Sequence, residues 1–173
     1  MRRTWVSCLV VASLLLGGGV SLAQGPTPIA VISISGYDEL RGDLEMIGKL
    51  GGTPELAKMV EGLIAMGTGG RGLAGLDKAK PLGAVVYIDG DDFPVIGFIP
   101  VTNLKSLLQA LSAPLGEAKD AGDGVYEIRA GENPLYVKEK GGWAFIAPEK
   151  ELLDKAPADP MKLLAGQEKK YDL

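Results

Sequence analysis

The sequence predicts an α+β domain with an antiparallel-rich sheet and helices packed on one face. Two observations carry this prediction. The elements follow the order strand, two helices, two strands, helix and three strands, and runs of Gly, Asp, Asn or Pro separate them. With right-handed crossovers, the first seven elements fit a split βαβ or ferredoxin-like core, which the remaining strands extend by an extra hairpin.

The first half begins with a β-branched run, Ile29 to Ser35, that is typical of a strand. Apolar residues then recur with helical spacing from Tyr37 to Leu50. A second helix is predicted to begin at Thr53, a good N-cap with Pro54 after it. Its apolar stripe consists of Leu56, Met59, Val60, Leu63 and Ile64.

The second half begins with two apolar strands, Leu82 to Ile88 and Val95 to Ile99, joined by an Asp- and Gly-rich turn. Both strands are almost continuously apolar, which indicates central positions with little exposed face. Thr102 is predicted to cap the helix that follows. Three more strands are predicted: Gly124 to Ala130, Leu135 to Glu139 and Trp143 to Ala147. Helical segments that begin at Glu149 and at Asp159 follow them.

The first 23 residues have the features of a secretory signal peptide. Arg2 and Arg3 precede an apolar run, and a small-residue stretch ends at Ala23, after which we expect cleavage. The apolar run is shorter than the roughly 20 residues that a membrane-spanning helix needs. We therefore expect an extracytoplasmic protein, periplasmic or secreted, with no stable membrane span after cleavage.

Residues 24–173 are predicted to form a single domain. The one cysteine of the chain lies within the predicted signal peptide, so disulfides are excluded from the 150 residues that remain. Loss of two arginines leaves 16 basic against 22 acidic residues, a net charge of −6. Nucleic acid is excluded as a partner, because phosphate binding depends on clustered Lys and Arg. The end of the chain, Lys170 to Leu173, resembles the start of a strand, and we expect the chain to be the N-terminal part of a longer protein.

The chain contains no histidine. This absence excludes Ser-His-Asp triads and, because no cysteine follows the predicted signal peptide, the common zinc sites. The segment Gly67 to Gly72 matches the letters of a G-x-G-x-x-G dinucleotide motif, with Asp91 and Asp92 about 20 residues further on. However, the loop follows a helix, whereas the motif must leave a strand and enter a helix. It is therefore interpreted as a loop that ends a helix.

Carboxylates are the remaining candidates for acid–base chemistry. Those of Asp89, Asp91 and Asp92 share one turn and could offer oxygen ligands to Ca²⁺, although the spacing is not that of an EF-hand. A hydrolase would need two facing carboxylates. The spacing of the candidate residues in the sequence places no two of them across a cleft. The candidates are Glu39, Asp43, Asp92, Glu127 and Glu139.

Two further patterns have structural explanations. Thr102-x-x-Lys105 matches a nucleophile motif in part, but helix capping accounts for Thr102. Trp143, Phe145 and Tyr136 could stack on a sugar or a peptide, but burial in the core explains large aromatic residues better. No catalytic, cofactor-binding or metal-binding residue is therefore assigned.

Four segments carry a resemblance to a known group. They are Gly36 to Leu40, Gly51 to Leu56, Gly75 to Lys78 and Gly97 to Lys105. At these segments the chain resembles a group of secreted proteins that is typical of planctomycete-type bacteria and has no established function. The resemblance implies longer extracytoplasmic proteins in which similar α+β units recur, and it implies no catalytic residue.

The sequence favours a non-catalytic exported domain that binds or scaffolds another protein or an envelope component. The three C-terminal strands are expected to present an edge for pairing with that partner. Two alternatives stay open: an extracytoplasmic hydrolase that depends on carboxylates, and a carrier that holds a small ligand between sheet and helices. No cofactor is predicted.

Overall fold

The computed structural model describes residues 27–129 and 133–165. The predicted signal peptide, residues 130–132 and the predicted strand start at Lys170 lie outside the described residues. The seven strands are β1 (Thr27–Ile34), β2 (Leu82–Ile88), β3 (Val95–Pro100), β4 (Lys119–Asp120), β5 (Val125–Arg129), β6 (Pro134–Lys140) and β7 (Trp143–Ala147). The helices are α1 (Tyr37–Leu50), α2 (Leu56–Gly67), α3 (Leu104–Ala110), α4 (Ser112–Leu115) and α5 (Met161–Ala165), with a 3₁₀ helix at Lys150–Lys155.

The α+β class and the antiparallel sheet are confirmed. The strands form one sheet in the order β1-β2-β3-β7-β6-β5-β4, and each described pairing is antiparallel. The split βαβ connection is wrong, because it requires the strands before and after the helices to run parallel, whereas β1 and β2 pair antiparallel. The antiparallel pairing arises because two helices connect the strands. Helix α1 leads away from the end of β1 and α2 returns, so β2 begins beside the end of β1. The backbone N–H of Asp38, at the start of α1, accordingly donates to Lys78 O, shortly before β2.

The extra hairpin does not extend the sheet at its edge. Strands β6 and β7 lie between β3 and β5, so β7 is the central strand. The turn between β6 and β7 consists of two glycines, and both have positive φ, 63° at Gly141 and 80° at Gly142.

The core lies on both faces of the sheet. On the first face, Phe98 and Phe145 pack with Leu152 and Leu153 of the 3₁₀ helix. On the second face, Leu104, Leu107 and Leu108 of α3 pack on Ile128, Val137 and Ala144. The prediction of helices on one face is therefore wrong, because the central strand β7 is apolar at consecutive positions and needs cover on both sides.

Two predicted caps are also wrong. Helix α2 begins at Leu56, one turn after Thr53, and its N-cap is Glu55. Helix α3 is capped by Asn103, whose Oδ1 accepts a hydrogen bond of 2.9 Å from Ser106 N, and Thr102 only precedes it. Asparagine is the stronger N-cap residue, since it ranks above threonine.

Candidate functional site

The described residues cover one half of the second face of the sheet. One row of paired residues runs across this face from β1 to β7; its members are Ile32, Ala84, Gly97 and Ile146. Ile146 packs against the α3 cluster. Towards β1 the cover ends, and Ile32 is 62% exposed.

We call the uncovered part of β1, β2 and β3 the open face. Its exposed large side chains are Ile32, Ile34, Ile88 and Val95. The small residues Ala84 and Gly97 lie between them in the row. No residue of the three strands carries a charge. The prediction that β2 and β3 occupy central positions with little exposed face is confirmed except at the strand ends, where Ile88 and Val95 are exposed.

The long free edge of the sheet belongs to β1. This strand has eight residues and, among the described residues, pairs only with β2, whereas β4 at the opposite edge has two residues. Strands β6 and β7 have neighbours on both sides, and β4 covers the outer side of β5 at Tyr126 and Glu127. The edge predicted on the C-terminal strands is therefore limited to the rest of β5, and the longer edge is that of β1.

Helices α1 and α2 form an antiparallel hairpin whose apolar side chains are exposed. Neither helix contributes a residue to the two core clusters. Met59, Leu63 and Met66 recur at i, i+4 and i+7 on one face of α2, and they are 59%, 65% and 74% exposed. We call the exposed apolar side chains of both helices the hairpin surface; on α1 they are Leu40, Met46, Ile47 and Leu50.

Polar contacts hold the two helices together. Arg41 of α1 forms ion pairs with Glu61 of α2 at 2.7 Å and with Glu45 at 3.1 Å. The Tyr37 hydroxyl donates to Glu61 Oε1 at 3.3 Å. Partial burial is the main cause of the raised pKa of the Tyr37 hydroxyl, and the nearby Glu61 carboxylate raises this pKa further. The hairpin is thus a defined unit, although its apolar side chains lack cover.

Gly48 sets the distance between the helices at their connection. It is buried, and a Cβ atom at this position would collide with Thr53 O and lie 3.0 Å from the Leu56 Cβ. By contrast, a Cβ atom at Gly42, in the same helix, would meet nothing within 4 Å.

Alanine at these two positions is expected to have opposite effects. Gly42→Ala should stabilise α1 by about 0.5–1 kcal/mol, because glycine loses more backbone entropy in a helix. Gly48→Ala should destabilise the hairpin by about 1–3 kcal/mol, because the backbone must move to relieve the collision. Thermal unfolding of both variants, with amide exchange of α1 and α2, measures the difference. Equal effects would contradict the close helix contact.

The glycine-rich loop after α2 fixes the hairpin to the rest of the domain. The loop leaves a helix, as predicted, and Thr68 closes that helix by donating from its hydroxyl to Ile64 O at 2.8 Å. Arg71 Nη1 then donates to Gln109 O of α3 at 2.8 Å. Arg71 and Lys105 also line an open cleft of about 430 Å³ with Glu117. The arrangement gives the loop a structural role.

A second anchor lies just before β2. The backbone N–H of Asp77 donates to Pro100 O, and Lys80 Nζ lies 2.8 Å from Asp77 Oδ2. The hydrogen bond from Lys80 is the main reason that the pKa of the Asp77 carboxyl is lowered. The ammonium of Lys80 also lies 5.9 Å from the centre of the Trp143 ring. This segment ties the start of α1 to the core.

Some carboxylates do line a common cleft. Asp89, Asp92 and Glu149 border an open space of about 400 Å³ together with Phe93 and Lys155. Lys155 Nζ lies 3.0 Å from Asp89 Oδ2. Within the described residues, no group of three or more acidic, histidine or cysteine side chains is placed to hold a metal ion.

The other predicted candidates lie apart. Glu39 and Asp43 are exposed on α1, and Glu127, 3.1 Å from Arg129, is on β5. Glu139 is exposed near the end of β6. These four residues therefore do not form one site.

The aromatic residues are part of the core. Trp143 is 5% exposed and Phe145 is 1% exposed, on the same face of β7, as alternation requires. The interpretation as core residues is confirmed. The space between α3 and the sheet, where the carrier hypothesis places a ligand, is occupied by the packed α3 leucines.

The hairpin surface is the feature that sequence reasoning missed. The stripe of α2 was expected to face the core, yet Ala57 is the buried residue of this helix, and Met59 and Leu63 are exposed. The available signal was the width of the apolar region. Ala57, Ala65 and Met66 extend it beyond one stripe, which indicates two apolar faces.

No described helix has the length and apolar character required to cross a membrane. Comparison of the chain with protein-family models, curated proteins and solved structures found no match. The resemblance to planctomycete-type secreted proteins stays a prediction.

Proposed function

We propose that the protein is an exported, non-catalytic domain that scaffolds an assembly by docking its apolar surfaces against another protein. The observation that carries this proposal is the hairpin surface together with the open face. Monomeric proteins rarely expose apolar patches of more than a few hundred Å². Here the exposed side chains of the two surfaces together present on the order of 1,000 Å² of apolar area.

The chemistry of the surfaces favours a protein partner. The open face belongs to strands without charged residues, so a charged ligand such as nucleic acid finds no ion-pair partner on it. The core of a protein interface is similarly poor in charge, and Met is enriched there. Export follows from the predicted signal peptide and is part of the proposal.

The test is chemical crosslinking in cells that produce the protein. The wild-type chain is expected in crosslinked species larger than the monomer, and a Met59→Glu/Leu63→Glu variant is expected to lose them. The matched control is Lys119→Glu, which makes the same change of two charge units on the exposed strand β4, at the opposite edge of the sheet from β1. Circular dichroism checks the fold of each variant. Species that are unchanged in the double variant would contradict the proposal.

A second candidate function, the carboxylate hydrolase, is favoured by the cleft of Asp89, Asp92 and Glu149. A glycosidase pair could use such a cleft if one carboxyl stayed protonated. All three residues are exposed, and Lys155 pairs with Asp89, which makes this the weaker candidate. Hydrolysis of a panel of aryl glycosides that is abolished by Asp89→Asn/Asp92→Asn would favour it over scaffolding.

A further inference from the structure

The two apolar surfaces belong to the same chain but do not cover each other. In a protein of this class, a helical hairpin that follows the first strand ordinarily lies on the sheet and buries its own apolar face. Here Leu63 of α2 and Ile32 of β1 are both more than half exposed. Within the described part of the chain, the exposed helical layer and the exposed sheet face are therefore each left without a partner.

The dimensions of the two surfaces match. Helix α1 has 14 residues and α2 has 12, which gives lengths of roughly 18–21 Å. Strand β1 has eight residues, or roughly 26 Å. Packed helices lie about 8–10 Å apart, and the first and third strands of a sheet are also about 10 Å apart. The hairpin is therefore the right size to cover β1, β2 and β3.

The connections oppose closure within one chain. Only Ser35 and Gly36 separate β1 from α1, and the start of α1 is tied to Lys78 O. On the other side, Arg71 ties the loop after α2 to α3. When short, fixed connections keep a helical unit off its own sheet, packing of that unit on the sheet of a second copy is favoured.

We propose that a second copy of this chain covers both surfaces, with the hairpin of each copy lying on the open face of the other. This inference rests on the proposed function and names its partner. A two-fold arrangement satisfies both surfaces at once, because each copy supplies one hairpin and one open face. A single foreign protein would have to match two separate surfaces.

The size and chemistry of the contact suit a stable dimer. Each copy contributes on the order of 1,000 Å² of apolar surface, against about 1,200–2,000 Å² in total for a standard interface. The exposed α2 face of Met59, Leu63 and Met66 is apolar, and so is the open face it would meet. The small residues Ala84 and Gly97 allow a helix to approach the sheet closely.

The test uses the cysteine-free exported chain, since Cys8 lies in the predicted signal peptide. Ile32→Cys is placed on the open face and Leu63→Cys on the hairpin surface, and both positions are exposed enough to accept the change. The two variants are mixed and oxidised at low concentration. Leu63→Cys mixed with Asp120→Cys, at the far edge of the sheet, is the control. We expect a covalent heterodimer in the first mixture and at least about 10-fold less in the control.

Sedimentation of the unmodified chain supplies a readout that needs no variant. We expect twice the mass of the monomer, and an increase of at least about 30-fold in the dissociation constant for Met59→Glu/Leu63→Glu, as for central interface residues. A monomer, equal crosslinking in both mixtures, or an intramolecular disulfide in the Ile32→Cys/Leu63→Cys chain would overturn the dimer. A purified monomer that still forms crosslinked species in cells would refute this inference alone, whereas a wild-type chain that forms no crosslinked species in cells would refute the proposed function.

Discussion

Replacing Phe98 by alanine is expected to lower the free energy of unfolding by about 3–5 kcal/mol. The side chain is fully buried on the first face of the sheet. Its ring meets Trp143 edge to face, with centroids 5.6 Å apart and planes at 83°, a geometry that adds about 0.5–1.5 kcal/mol to simple burial. Gly83 lies opposite it on β2 and offers no side chain to fill the space.

The matched control for this prediction is Phe93→Ala. Phe93 is 61% exposed, so its removal should change the stability by less than about 0.5 kcal/mol. Urea denaturation measures both variants, and the midpoint should fall for Phe98→Ala without a change in slope. Since a domain of this size has about 5–15 kcal/mol of stability, a loss below about 1 kcal/mol would contradict the assigned core.

Replacing Gly75 by alanine is expected to cost about 3 kcal/mol or more, because two costs combine at this position. Its φ is 85°, which L residues adopt at a cost of about 1–2 kcal/mol. In addition, a Cβ atom there would collide with Asn103 O and lie 2.5 Å from Leu107 N. Gly75 O also accepts hydrogen bonds from Thr102 N and Asn103 N, so the strain is transmitted to the start of α3.

Gly122→Ala separates the two costs. Its φ is 81°, but a Cβ atom would meet nothing within 4 Å. We therefore expect it to lose only the backbone cost of about 1–2 kcal/mol. Equal losses for the two variants in urea denaturation would show that the collision at Gly75 is relieved without cost.

The elements of the fold could be predicted closely from sequence. The bounds of α1, β2 and β7 coincide with those in the structure, because apolar period and turn residues are local signals. The order of the strands could not be predicted in the same way. The insertion of β6 and β7 between β3 and β5 depends on contacts between residues that are distant in the chain.

The candidate site was predicted least well, for a physical reason. An apolar stripe shows that a helix can bury one face, but it does not show what buries that face. The stripe of α3 does lie on the sheet, through Leu104 and Leu107. The apolar stripe of α2 has the same spacing, but it is exposed at Leu63. The difference arises from the connections, since α3 follows β3, whereas α1 and α2 connect the edge strand β1 to β2, its partner in the described sheet.

The central claim is that no described segment of the same chain covers the hairpin. Hydrogen exchange of the α1 and α2 amides, followed over a range of protein concentrations, tests it most directly. At low concentration we expect these amides to exchange much faster than those of β7, because local stability follows buried contacts. At high concentration, α1, α2 and the open face should gain protection while α3 and β7 stay unchanged. Protection of α1 and α2 equal to that of β7 at the lowest concentration would contradict the account.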